Sequence, residues 1–408
     1  MKKKTILIIC FNTLHNDPRV LRQIKALKED FNIVAAGFSD PNCGVDFIKL
    51  EEYKYKMIDF YFNYPWLFRK FFALLTMICM RVNSFSRKWS KRILTSPPFN
   101  ASNYYYEKNY WAVMKKHFVK LKNVNPDLII ANDLDTLPLA IKLKTSNTKI
   151  VFDAHEYHPL ELDEVETWRK NSKPKVEYQC KKYLKEADLM FTVSEPIARE
   201  YEKNYGIKPL VITNAPSFVN LEPRKIEGKI KLIHHGGAIK ERLLEETINV
   251  ISYLDDNYTL DLMLVSSDPV YLDHLKDKYK TEKKIKFLDP VSTTEISQKI
   301  NQYDIGIYIL PPLNFNNINA LPNKFFEFIQ ARLAVAIGPM PAMADIVNKY
   351  KLGVVAEGYA SEALANSIKK LSGTELFECK KNADRAAKEL SAENNKAILL
   401  KEIKKLAS

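Results

Sequence analysis

Three groups of residues in this chain have the types and spacing for chemistry. In Asn319-Ala-Leu-Pro-Asn-Lys-Phe-Phe-Glu327 a loop enters a helix, and Pro322 suits the first helical turn because its φ is preset and its missing N–H is not needed there. The amides that follow, the helix dipole and Lys324 all favour an anion, most simply a phosphate. Phe325, Phe326 and Ile329 take packing positions, which leaves Glu327 to accept hydrogen bonds from a pair of sugar hydroxyls such as those of a ribose. The second group is Gly236-Gly237-Ala-Ile-Lys240-Glu-Arg242, a glycine pair and two cations at a strand-to-helix turn. With only 11 glycines in the chain, a pair at such a turn suits close backbone approach, and the absence of G-x-G-x-x-G and P-loop patterns lowers dinucleotide and NTPase readings. The third is Asp153-Ala-His155-Glu156-Tyr157-His158 at the end of an apolar run. Each group also has a plain structural reading: a packing unit with a surface Lys and Glu, a solvated helix start, and a histidine satisfied by backbone.

The elements that must position these groups alternate. Thr5–Phe11 is a buried-strand run, Asp17–Leu27 a capped helix with apolar positions 20, 21, 24 and 27 on one stripe, and Asn32–Phe38 the next strand. Strand, helix, strand without hairpin signals predicts a parallel sheet whose ligands sit at the strand carboxyl ends. Asn16-Asp17-Pro18-Arg19-Val20 is then a candidate site wall, or a helix cap with Arg19 paired to Asp17. Asp127–Ala131 ends in Asn132-Asp133-Leu134-Asp135, a helix runs from Thr136, and Lys149–Phe152 delivers His155. A charged helix near Lys173–Glu186, strand Leu189–Val193, helix Glu195–Tyr205 and strand Leu210–Thr213 follow. The pattern predicts a first lobe over 1–214, a linker over 215–229, a second lobe over 230–390 with strands Lys231–His235, Leu260–Val265, Lys284–Leu288 and Asp304–Leu310, and a terminal helix over 391–408 returning to the first lobe.

With 408 residues and 46% apolar content the chain can fill two cores. Five scattered cysteines without C-x-x-C suggest neither disulfides nor zinc and fit a reducing cytoplasm. The basic start and short apolar run before Asn12, His15, Asn16 and Asp17 read as a strand rather than a signal peptide. The formal charge of +13 implies an anionic partner. Its densest source is Phe60–Tyr106, where 47 residues hold 14 aromatics, seven Lys or Arg and no acid. On a helical wheel Arg69, Lys70, Arg81, Arg87, Lys88, Lys91 and Arg92 share one half, and Phe68, Phe71, Phe72, Phe85 and Trp89 the other. A basic amphipathic helix on an anionic membrane surface is expected, as the cations disfavour a spanning helix; a core-facing helix with a solvated basic side is the plainer option. No nucleic-acid reading motif is present, so no nucleic-acid partner is expected.

The Asn319–Glu327 segment resembles the donor-binding segment of the family 4 glycosyltransferases, retaining enzymes with the two-lobed GT-B fold, in which two glutamates are separated by seven residues. The resemblance implies that Glu327 binds the nucleotide ribose, and that Asn319 stands where the first glutamate contacts the donor sugar. Leu321 and Asn323 line the same donor-binding loop. Asp153-Ala-His-Glu resembles the family's N-lobe active-site stretch, which implies that His155 contacts the donor sugar near the reacting carbon. The Gly236–Arg242 turn resembles the one that brings an arginine and a lysine to the donor diphosphate; Arg242 takes the later cation's place, Ala238 stands at the earlier one, and Lys240 can compensate. Asp289-Pro290-Val291 resembles the base-binding turn. Asn16, Arg19, Asp133 and Glu156 fall on the acceptor side. The expectation is therefore an α/β protein of two Rossmann-like lobes facing a cleft. It would move a sugar, without cofactor or metal, from a nucleotide sugar to a lipid-linked glycan acceptor at the inner face of the cell membrane. A noncatalytic nucleotide- or glycan-binding partner, or an epimerase or hydrolase on the same lobes, is the alternative.

Overall fold

The structure, a computed structural model, describes residues 3–52, 101–266, 268–371 and 373–408, and of residues 101–106, 108 and 109 the backbone alone. The basic aromatic segment 60–106 thus lies outside the described residues, apart from the backbone that begins the helix Ala101–Leu121.

Among the described residues two parallel sheets organise the chain. The first comprises β1 (Thr5–Cys10), β2 (Asn32–Gly37), β3 (Asp46–Lys49), β4 (Leu128–Asn132), β5 (Lys149–Ala154), β6 (Leu189–Thr192) and β7 (Leu210–Val211). Its order is β3-β2-β1-β4-β5-β6-β7. The second comprises β8 (Ile230–Gly237), β9 (Tyr258–Val265), β10 (Ile285–Leu288), β11 (Ile305–Tyr308), β12 (Ala334–Ile337) and β13 (Gly353–Val355), ordered β10-β9-β8-β11-β12-β13. The order in which successive strands are added reverses between β1 and β4 in one and between β8 and β11 in the other. Such switch points leave a crevice at the carboxyl ends of the two neighbouring strands, where doubly wound proteins bind ligands.

The central strands are unbroken apolar runs because parallel strands are covered on both faces. Ile6, Leu7, Ile8 and Ile9 are wholly buried, as are Ala334, Val335, Ala336 and Ile337. The expected strands of both sheet centres are present within a few residues. The sequence reading lacked two of the four edge strands, β3 and β13, whose residues are half-buried or exposed and carry little periodicity. In the helix Pro18–Leu27 the Asp17 carboxylate caps both Arg19 N–H and Val20 N–H at 3.1 Å.

The chain divides into two compact units. One holds residues 1–154, 162–190 and Ala407; the other holds His155–Glu161, Phe191–Leu406 and Ser408. Within the second unit, residues 212–229 carry no regular structure. They are nonetheless tied down: Val219 N–H donates to Gln330 and Val219 C=O accepts from Arg332. The helices Gly373–Ala387 and Ala392–Ala407 end the chain, Ser391 capping the latter, and Asn395 of that helix donates to Thr213 C=O at 2.9 Å. Among the described residues no helix is long and apolar enough to cross a membrane.

Candidate functional site

The second unit gathers its chemistry at the β8/β11 switch point. The helix Asn323–Gln330 begins there, with Pro322 at its cap rather than in its first turn. Its close approach to the sheet depends on Gly306 of β11, since a Cβ there would stand 2.3 Å from Cγ of Phe328. Phe325, Phe326, Phe328 and Ile329 bury the helix, and Lys324 and Glu327 are drawn in with them, only 6% and 8% exposed.

Lys324 is the centre of this arrangement. Its Nζ lies 4.5 Å from the centroid of the Tyr308 ring, a cation–π geometry, and 3.3 Å from Nε2 of His234. Gly236, at φ +113°, leaves the room: a Cβ there would sit 3.1 Å from both Cε and Nζ of Lys324. Burial, reinforced by the positive charge of Arg242 and opposed by Glu327, pulls the Lys324 ammonium down to about 7. His234 is fully buried, its Nδ1 3.0 Å from Ile307 C=O, and burial together with Lys324 pushes it well below the ordinary histidine range. His235 Nε2 is 3.5 Å from a Glu327 oxygen, and burial with Lys324 lowers it to about 3, so the imidazole beside that carboxylate is neutral. A lysine poised near neutrality in a dry setting gains most from a ligand that brings negative charge.

The remaining expected donor-side residues surround this centre in the chain. Gly236 and Gly237 end β8, and Lys240 and Arg242 sit on the following 3-10 turn, Lys240 exposed and Arg242 half-buried. Pro290 and Val291 follow β10, and Leu321 is buried just before the helix. Asn319 is buried, its side-chain N–H donating to Phe315 C=O at 2.9 Å and its own C=O accepting from Ser194 Oγ at 3.0 Å.

His155 follows β5 directly, and the segment His155–Glu161 belongs to the second unit. Asn316, on the short helix Phe315–Ile318, holds it: Oδ1 accepts from Tyr157 N–H at 2.8 Å, and Nδ2 donates to Tyr157 C=O at 3.1 Å and to the Glu156 carboxylate at 3.3 Å. Phe315 packs against the Tyr157 ring, and Tyr201 O–H bonds both Glu156 C=O and His158 N–H. Glu156, His158 and Glu161 also bring three potential metal-ligand atoms within 4.8 Å of one another.

The acceptor-side expectations Asn16, Arg19 and Asp133 lie in the first unit. Arg19 pairs with Asp153. Its guanidinium makes a bidentate bond to Asp153, at 2.8 and 2.6 Å, and Gln23 donates to the same carboxylate. Asp17 prefers its helix because two backbone amides lie within reach of its short side chain. Asn16 ends the 3-10 turn before the helix, and Asp133, after β4, holds φ +65°, an uncommon conformation for a non-glycine residue. Sequence reasoning missed His234, Tyr308 and Asn316. The available signals were a His-His pair immediately before the double glycine and a polar helix start just upstream of Asn319.

Comparison with known proteins bears on the fold and on one segment of the chain. Residues 75–223 match the model for Glycosyltransferase Family 4. No curated protein matches the chain. Among solved structures it is similar to Anabaena Alr3699/HepE, solved in complex with UDP-glucose, at 12% identity and TM-score 0.66, covering 98% of this chain and 100% of that one. It is similar also to WaaG, a glycosyltransferase involved in lipopolysaccharide biosynthesis, at 12% identity and TM-score 0.59, covering 97% and 99%. Similarity to S. aureus TarM, solved with fondaparinux, alpha-GlcNAc-glycerol and UDP, has 13% identity and TM-score 0.57, covering 71% of this chain but only 58% of that longer one. The chain thus has the α/β fold of these GT-B structures, and residues 75–223 carry the family 4 match.

Proposed function

We propose that this protein is a glycosyltransferase that moves a sugar from a nucleoside-diphosphate sugar to a membrane-held, polyprenyl-linked glycan in cell-surface polysaccharide assembly, with retention of anomeric configuration. The observation that carries the donor half is the pairing, on one helix turn, of a buried cation and a buried carboxylate, Lys324 and Glu327, beside the β8 glycines. The cation meets the diphosphate and the carboxylate the ribose. That similar structures were solved with UDP or UDP-glucose supports the reading.

The chief demand of the reaction is to stabilise charge on the departing diphosphate, and Lys324, Arg242 and Lys240 meet it without metal. His155 contacts the donor sugar. Retention follows if the leaving phosphate accepts the proton of the attacking hydroxyl, so Glu156 has no role as base. The acceptor half rests on the acid-free aromatic and basic segment 60–106, which suits peripheral attachment to an anionic membrane at the inner face of the cell membrane.

A thermal-shift panel of UDP, GDP, CMP, ADP and dTDP sugars, run on the protein and on Glu327→Ala, tests the donor half. A shift with one nucleotide that vanishes in the variant is expected; no shift in folded protein would favour a noncatalytic partner instead. Flotation with anionic vesicles tests the membrane half. Binding should be lost when Arg87, Lys88, Lys91 and Arg92 are replaced by Gln, and indifference to those changes removes the membrane claim.

A further inference from the structure

His234 lies wholly inside the second unit, yet it neither fills a simple packing role nor belongs to the expected donor set. Its two ring nitrogens face different partners: Nδ1 the carbonyl of Ile307 at 3.0 Å, Nε2 the ammonium of Lys324 at 3.3 Å. A carbonyl can only accept, so Nδ1 carries the hydrogen. In the neutral ring Nε2 is then a bare lone pair, and the contact with Lys324 is satisfied only if Nζ donates. The opposite tautomer would set two donors against each other at one end and two acceptors at the other.

We propose that His234 is the positioning residue for Lys324, a neutral acceptor that aims the ammonium without neutralising it. This rests on the reading above, that Lys324 meets the donor's diphosphate. One N–H of Nζ is held by His234, the Tyr308 ring lies under the charge at 4.5 Å, and Gly236 leaves the approach clear. Two N–H donors then remain for phosphate oxygens. The other charged and titratable groups influencing Nζ are Arg242, Glu327 and His235. An aspartate in place of His234 would orient the amine equally well but would supply the negative charge itself, and the diphosphate would have to compete with it. An imidazole fixes direction and leaves the charge uncompensated.

The test compares His234→Leu, which removes the acceptor at similar volume, with His234→Gln, whose side-chain carbonyl can stand near the Nε2 position. Both are measured for binding of UDP, GDP, ADP and dTDP by calorimetry, alone and on a Lys324→Ala background, with melting temperatures to confirm folding. The expected result is roughly tenfold weaker binding of the preferred diphosphate in His234→Leu, substantial recovery in His234→Gln, and no further loss from His234→Leu once Lys324 is gone. Wild-type affinity in His234→Leu, or the same loss on both backgrounds, overturns the proposal. Ring nitrogen NMR of the ligand-free protein decides independently of nucleotide binding. Nδ1 of His234 should be protonated, and Nε2 unprotonated with a resonance that moves in Lys324→Ala; a protonated Nε2 overturns the assignment. If the wild type binds none of the four diphosphates while the NMR signature is present, the functional reading fails and the positioning of Lys324 by His234 stands.

Discussion

Arg19 and Lys324 are both buried cations on helices packed against parallel sheets, yet their surroundings treat them oppositely. Arg19 meets a full counter-charge, Asp153, through two short parallel hydrogen bonds, with Gln23 adding a third to the carboxylate. Lys324 meets a neutral imidazole, an aromatic face and a second cation, with Glu327 as the opposing influence. A cation that the fold has already answered is structural, whereas one held ready without an equal answer is suited to a ligand's charge. Lys380 belongs with Arg19 in this respect, since its fully buried ammonium bonds Asp304 at 2.9 Å.

The largest effect expected is on Arg19. Replacing it with Met removes the counter-charge of the buried Asp153 carboxylate, and should lower unfolding free energy by about 3–5 kcal/mol in chemical denaturation, while nucleotide affinity of the folded fraction is unchanged. A parallel loss of nucleotide affinity would erase the distinction drawn here. Lys324→Met should slow sugar transfer on the order of 10²–10³ fold, and should raise the melting temperature of the ligand-free protein. The sign follows from its lowered value, about 7 in the fold against an ordinary 10.5. Between those values the unfolded chain binds the proton that the folded one has shed, so wild-type stability rises with pH across that window. The variant's advantage is therefore greatest below pH 7 and shrinks towards pH 10.5; a variant that melts lower than wild type at pH 6 would count against a costly buried charge.

Smaller effects sharpen the donor side. Glu327→Ala should weaken binding of a ribonucleoside diphosphate roughly ten- to hundredfold, and the preference for it over its 2′-deoxy counterpart, measured by calorimetry, should disappear with the carboxylate. Asn316→Ala, which frees the Tyr157 backbone and with it the segment bearing His155, should lower kcat roughly tenfold and leave nucleotide affinity intact. Equal changes in both quantities would mean that Asn316 supports the donor seat itself.

The fold was legible because apolar runs and helix caps are local. Thr5–Phe11, Asp17–Leu27 and Glu195–Tyr205 each announce themselves within a dozen residues, and the central strands of both sheets follow from them. Two edge strands, β3 and β13, short and without full burial, carry too little pattern to be seen. Lys324 and Glu327 were legible from their place after Pro322. Their environment was not, because it is assembled from distant pieces: His234 stands 90 residues from Lys324 in the chain, and Asn316 stands 159 residues from Tyr157. Arg19 shows the same limit. Its nearest acid in sequence, Asp17, is occupied by backbone amides, and its partner lies 134 residues away.

Gly306 gives the proposed donor seat an adjustment that lies outside Lys324 and Glu327 themselves. Because the helix Asn323–Gln330 rests on a strand position lacking a side chain, its height above the sheet is set by the contact between Gly306 and Phe328. Lys324 and Glu327 ride on that helix as one rigid body. A single methyl at position 306, or a smaller ring at 328, would lift or lower both together, changing the depth of the seat while preserving the spacing between its cation and its carboxylate. The fold thus separates two design variables, depth and spacing, and allows the first to drift without disturbing the second.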